Sequence, residues 1–126
     1  MRYLGIDYGK KRVGLALGEK GLAAPLLVCP NNKNIFNLIK EVCSNEAIDQ
    51  VVLGFSQDLK EEVDRFAKRL EEQLALPIVF QNEALTTKEA VDKMLVSQTK
   101  KKDRKERVDA VAAAQILAAY FAENKD

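Results

Sequence analysis

The chain has 126 residues, 47% apolar and 31% charged, with a formal net charge of +1, the profile of one globular domain spanning residues 1–126. No apolar run approaches the ~18–20 residues of a membrane span, and the stretch from Met1 meets a charge at Asp7 too soon for a secretory signal, which predicts a cytoplasmic protein without membrane partners. The chain has no histidine, which excludes Ser-His-Asp and Cys-His catalysis, histidine-ligated zinc and a histidine base, and leaves carboxylates, lysines, hydroxyls or a bound metal to carry any chemistry.

The first predicted strand covers residues 2–7, with Leu4 and Ile6 on one face and Tyr3, Gly5 and Asp7 on the other. A turn, Tyr8-Gly9-Lys10-Lys11, leads into a second strand over 12–18, and so short a connection pairs the two as an antiparallel hairpin. A third strand is predicted over 23–28, with Pro25 placing it at an edge or at a strand start. Cys29 and Cys43 lack metal-ligand spacing and read as small core residues in a reducing compartment. Pro30-Asn31-Asn32 breaks the chain, and Ile35, Leu38, Ile39 and Val42 then follow helical spacing over about 33–44.

Residues 50–55 are a continuous apolar run, the mark of a strand buried on both faces. Leu59, Val63, Phe66, Leu70 and Leu74 define an amphipathic helix that ends before Pro77, and residues 78–80 form a fifth strand. Thr86 followed by Glu89 resembles a capping box, with Thr86 as helix cap, opening a helix to about 96. Residues 97–102 read as a polar, mobile loop, and Asp103 with Glu106 marks the start of a last helix reaching about 123. The element order βββ-α-β-α-β-α-α implies an α/β fold: a mixed five-stranded sheet, its first three strands antiparallel and its fourth and fifth parallel, flanked by helices.

Three acids stand where a solvated charge is not needed. Asp7 ends the first strand before a glycine turn, a place that also suits an Asx-type turn former. Glu83 lies just past the fifth strand, where open α/β sheets collect ligands, although a surface acid there is ordinary. Asp109 opens an almost wholly apolar helix on one face with Ala113, Ile116 and Tyr120; stabilising the helix N-terminus is the alternative role. Together the three predict converging carboxylates, for which a hard divalent cation with oxygen ligands is the usual remedy.

The charge is unevenly spread. Lys10, Lys11 and Arg12 contribute +3, and residues 100–107, with Lys100, Lys101, Lys102, Arg104, Lys105 and Arg107 against two acids, contribute +4, so the remainder carries −6. Either run could be a solvated loop. Their positions beside Asp7 and just before Asp109 suggest a local anionic partner.

The segment from Tyr3 to Ala16, Tyr-Leu-Gly-Ile-Asp-Tyr-Gly-Lys-Lys-Arg-Val-Gly-Leu-Ala, closely resembles the opening of the YqgF/RuvX family, described as Holliday junction resolvases and as the nuclease that matures the 5′ end of pre-16S ribosomal RNA. Val51-Val52-Leu53-Gly54-Phe55, Asn82-Glu83-Ala84-Leu85-Thr86-Thr87 and the stretch from Val108 to Leu117 fit the same family in order, so the resemblance covers essentially the whole chain. It implies an RNase H-like fold and a catalytic, metal-binding triad of Asp7, Glu83 and Asp109. The implied cofactor is magnesium or manganese, two ions with substrate bound. A metal-bound water needs no histidine base. Taken with this resemblance, the two basic runs favour phosphate contact, with 97–107 as a mobile clamp. Since no aromatic residue interleaves with them, the binding implied is to the nucleic-acid backbone without base stacking.

The implied partners are structured RNA or branched DNA and, through the former, ribosome-assembly particles, with the protein a monomer or weak homodimer. Two departures bear on activity. Asn82 and Ala84 replace the family's flanking Asp and Arg, and Gly54-Phe55-Ser56-Gln57-Asp58 is shorter than the family's loop and lacks its Pro and Gly. These losses favour the alternative reading, a non-catalytic RNase H-like module that binds ribosomal RNA or an assembly partner; the intact acids favour the enzyme.

Overall fold

The structure, a computed structural model, describes residues 1–83 and 104–124. Strand β1 (Arg2–Tyr8) pairs antiparallel with β2 (Arg12–Glu19), which pairs antiparallel with β3 (Leu22–Pro30). On the other side β1 pairs parallel with β4 (Gln50–Phe55), and β4 pairs parallel with β5 (Ile78–Asn82). The order is β3-β2-β1-β4-β5, the mixed sheet expected from the pattern, with β1 at its centre. Helices α1 (Ile35–Asn45) and α2 (Lys60–Gln73) cover one face, and α3 (Arg104–Glu123) covers the other.

The two faces follow from strand alternation. Leu4 and Ile6 of β1, Val13 and Leu15 of β2, and Val51 and Leu53 of β4 join Ile35, Ile39, Val63, Phe66 and Leu70 in the larger core. The opposite face is lined by small residues, Ala16, Ala23 and Val52, against Ala113, Ala114, Ile116 and Leu117 of α3. β4 is buried on both faces, as its unbroken apolar run requires.

β3 is an edge strand, and its register against β2 slips between Leu15 and Ala16, opposite Pro25 and Leu27. Pro25 has no N–H to donate, and an edge is where that is tolerated. α1 begins at Ile35, two residues later than the periodicity suggests, because the preceding residues make a turn: Asn34 N donates to Asn32 Oδ1 at 2.9 Å, and Ile35 N to Asn32 O at 3.1 Å. No helix among the described residues is long and apolar enough to cross a membrane.

Small residues let α3 lie close to the sheet. A Cβ on Gly5 would stand 2.5 Å from Leu117 Cγ and 2.9 Å from the Ala113 carbonyl oxygen. The far end of α3 is held by Tyr3, whose ring centroid is 5.0 Å from that of Phe121 and 5.9 Å from that of Tyr120. Gln50 Nε2 donates to the Tyr120 hydroxyl at 3.1 Å, and the buried Gln81 donates through Nε2 to Glu123 Oε2 at 3.1 Å. From Tyr120 to Ala113 the helix thus runs from Tyr3 to Gly5, towards the end of β1 that carries Asp7.

Candidate active site

Three parallel strands, β1, β4 and β5, end side by side at Tyr8, Phe55 and Asn82. Ligand sites of open α/β sheets form beyond such ends. Asp7 is the second-last residue of β1 and, alternating with Leu4 and Ile6, faces the α3 side of the sheet. It pairs with Gly54 of β4, which pairs in turn with Gln81 of β5. Glu83 follows β5 directly, two residues past Gln81. Asp7 and Glu83 are both half-buried, and each has an interaction partner. The strands therefore deliver two carboxylate-bearing residues to one end of the sheet, about two strand spacings apart, or roughly 9–10 Å between backbones.

Position 109 lies on the backbone of α3, one helical turn before Ala113. Since Ala113 stands over Gly5, that turn lies at the Asp7 end of β1. The side chain of Asp109 lies outside the described residues, as do those of Arg104, Lys105 and Arg107. Lys100, Lys101, Lys102, the expected helix from Thr86 to about 96, Thr86 as its cap, and Ala84 also lie outside them. Among the described residues no three carboxylate, thiol or imidazole groups gather on one point.

The basic turn is placed by a residue that sequence reasoning read only as a chain break. Lys10, Lys11 and Arg12 are exposed at the β1–β2 turn, beyond Asp7. Asn31 Nδ2 donates to the Gly9 carbonyl at 2.7 Å, and Asn31 N to the Lys11 carbonyl at 2.8 Å, so Asn31 pins the turn from both ends. The signal for this was the hairpin register: Arg12 pairs with Pro30, which brings residue 31 beside Lys11. Gly9 is needed at this turn because a Cβ there would run into the Arg12 carbonyl oxygen. One expectation is corrected: the stretch 97–107 is not loop throughout, because residues 104–107 already have helical backbone. Arg, Lys and Glu are all good helix formers, and the start signal at Asp103 and Glu106 prevails over the charge repulsion of the run.

The family model described as "RuvX: Holliday junction resolvase" matches residues 1–123. The chain belongs to the RuvX family. Among its RuvX relatives, a protein of Syntrophus aciditrophicus named "Putative pre-16S rRNA nuclease" is 37% identical, covering 96% of this chain and 88% of its own length. A protein of the same name from Syntrophomonas wolfei is 31% identical, covering 96% and 94%. In fold the chain is similar to Thermus thermophilus RuvC, solved in complex with a Holliday junction substrate, with a TM-score of 0.69 at 16% identity, covering 99% of this chain and 97% of that one. The fowlpox virus Holliday junction resolvase matches with a TM-score of 0.59 at 12% identity, covering 98% and 99%. At these identities the likeness is one of fold, and the fold is RNase H-like.

Of the two departures noted in the sequence, the shortened segment after β4 has a described local structure. The shortened segment after β4 closes as a 3-10 turn, Gln57–Leu59, in which Leu59 N donates to the Ser56 carbonyl at 3.2 Å. Phe55 packs edge-on against Phe80 at 6.2 Å, and the Lys60 ammonium lies 4.6 Å from both ring centroids while pairing with Asp64 at 2.7 Å. Asn82, in place of the family's Asp, is the last residue of β5 and is half-buried.

Proposed function

We propose that this chain is a divalent-metal-dependent endonuclease that hydrolyses phosphodiester bonds in structured nucleic acid in the cytoplasm, acting in 5′-end maturation of pre-16S rRNA on ribosome precursor particles. The observation that carries the reading is the placement of Asp7 and Glu83 at one end of the sheet, with the α3 turn bearing position 109 directed to that same end. The pre-16S assignment comes from the names of the relatives, which match nearly the whole chain.

The donor set fits magnesium or manganese. Asp7, Glu83 and Asp109 offer only hard carboxylate oxygens, the ligands such ions prefer, and the chain has no imidazole to compete. Bound there, magnesium would supply Lewis acidity and a bound water of lowered pKa. The chain's own part is to bind and orient. Lys10, Lys11 and Arg12, on a turn pinned by Asn31, neutralise and position backbone phosphates beside Asp7. The second basic run, with Lys100, Lys101, Lys102, Arg104, Lys105 and Arg107, does the same on the approach to Asp109.

A second reading, a non-catalytic module that binds ribosomal RNA, is favoured by one observation: Asn82 and Ala84 replace an acid and a phosphate-facing Arg of the family pattern. One experiment separates the readings. Purified protein with magnesium or manganese is incubated with a pre-16S rRNA 5′ end and, in parallel, with a four-way DNA junction. Metal-dependent cleavage of the rRNA supports the enzyme acting on rRNA. Cleavage of the junction alone moves the substrate to DNA. Binding of the rRNA without cleavage of either supports the module.

A further inference from the structure

On the face of the sheet opposite Asp7, beyond the end of β1, a cavity of about 490 Å³ opens between α2 and the segment that leads into α1. Among the described residues, neither Asp7 and Glu83 nor Lys10, Lys11 and Arg12 line it. One wall is a row of rings: the Tyr8 and Phe66 centroids are 5.0 Å apart, and those of Phe66 and Phe36 are 5.2 Å apart. Phe66 is buried and anchors the row to the core, while Tyr8 and Phe36 are half-buried.

The rim is charged. Arg65 and Arg69, one helical turn apart on α2, face Lys33 across the opening, with Glu62 as the one acid, an excess of two positive charges. The Arg69 guanidinium lies 5.0 Å over the Phe36 ring. Asn31 both lines the cavity and fixes the turn carrying Lys10 and Lys11, so the cavity and the basic turn share a wall.

We infer that this cavity is a nucleotide subsite, taking one base and its phosphate from a single-stranded segment of the nucleic acid whose backbone crosses the Lys10-Lys11 turn. The two halves of a nucleotide match the two halves of the cavity. Half-exposed rings and a guanidinium plane stack on a base, and Arg and Lys side chains bind a phosphate through charge-assisted hydrogen bonds. Glu62 is positioned at the rim to accept hydrogen bonds from ribose hydroxyls or a base amino group. The volume lies within the ~300–1,000 Å³ of small-ligand sites. A bare anion would use the rim and leave the rings unused; an apolar ligand would leave the net positive charge of the rim unmatched.

The inference rests on the nuclease reading only for the source of the nucleotide, and its test needs neither metal nor cleavage. The probes are AMP and inorganic phosphate, titrated by calorimetry into the full chain in EDTA, which keeps the ions of the acidic site from contributing. AMP should bind the natural protein, and phosphate should bind at least roughly tenfold more weakly because it gains no stacking. The surface variant R65A/R69A, whose fold is checked by its melting curve, should bind AMP roughly tenfold or more weakly, the loss expected for charge-assisted hydrogen bonds. Absence of AMP binding, phosphate binding as tight as AMP, or an unaffected double variant each overturns the subsite. AMP binding with no cleavage of any nucleic acid by the natural protein would instead leave the subsite standing and refute the nuclease.

Discussion

The closeness of α3 to the sheet is tested by G5A. The substitution adds one methyl where its carbon would stand 2.5 Å from Leu117 Cγ, 3.0 Å from Leu117 Cδ1 and 2.9 Å from the Ala113 carbonyl oxygen, against 3.4–4 Å for ordinary contact. Leu117 is fully buried and cannot turn away. The carbonyl belongs to the helix backbone, so relieving that contact means lifting α3 by roughly half an ångström. Overpacking of this kind costs about 1–3 kcal/mol. The loss of backbone freedom in the unfolded chain returns about 0.5–1 kcal/mol, leaving a net destabilisation of roughly 0–2.5 kcal/mol. For a domain of this size that is a fall in Tm of up to about 12 °C. The assay is urea unfolding with a fixed m-value, supported by a melting curve. Gly21 is the control: nothing lies within 4 Å of its added Cβ, and only its φ of +78° opposes substitution, so G21A costs about 1–2 kcal/mol of strain without moving the helix. If position 109 acts in the site, G5A also lowers cleavage at temperatures where the variant is fully folded, and G21A does not. A G5A protein more stable than the natural one, as relief of unfolded-chain entropy without a clash would give, would refute the close approach.

Three further predictions follow from charge and burial. Replacing Lys100, Lys101 and Lys102 together by Ala should weaken nucleic-acid binding alike for all sequences and flatten its salt dependence. The log–log slope should fall by roughly 0.7 per lost contact on single strands or 0.9 on duplex DNA; an unchanged affinity and slope would show that the run makes no phosphate contact. Burial pushes the thiols of Cys29 and Cys43 from 9.0 up to about 11. In the native chain both should therefore react with a thiol reagent only as fast as the protein opens. Because these pKa values are raised, the unfolded chain loses thiol protons first, so the thiols' contribution to stability should be constant below about pH 9 and fall as pH rises from 9 to 11. Flat stability across that window in the natural chain, or an equal fall in a C29A/C43A variant, would contradict this.

Much of the architecture was legible because periodicity speaks directly about burial. The alternation of Leu4 and Ile6 with Tyr3, Gly5 and Asp7 assigns the faces of β1, and the spacing from Leu59 to Leu74 draws the buried side of α2. Asp7 and Glu83 stood out because strand ends can be read from where apolar runs stop. What escaped was built from several elements at once. Asn31 looks like a chain break until strand register sets it against Gly9 and Lys11. No aromatic residue interleaves with the two basic runs, so base stacking was not expected. Yet Arg65 and Arg69 of α2, Lys33 and Tyr8 come together around the cavity from three separate stretches of chain. The fit of Gly5 under Leu117 is likewise a property of helix placement, which no local pattern encodes.

The central claim is that the carboxylate of Asp7 serves chemistry at the sheet end rather than the turn that follows it. It is tested most directly by comparing the natural protein with D7N in magnesium-dependent cleavage of a pre-16S rRNA 5′ end, with urea unfolding of both. Asn keeps the volume and the turn-forming hydrogen bonds of Asp but loses the charge. The account predicts that D7N folds with stability equal to or above that of the natural chain and shows no cleavage. Full cleavage by D7N would contradict it, and an unfolded D7N would show instead that the charge of Asp7 is needed to hold the fold.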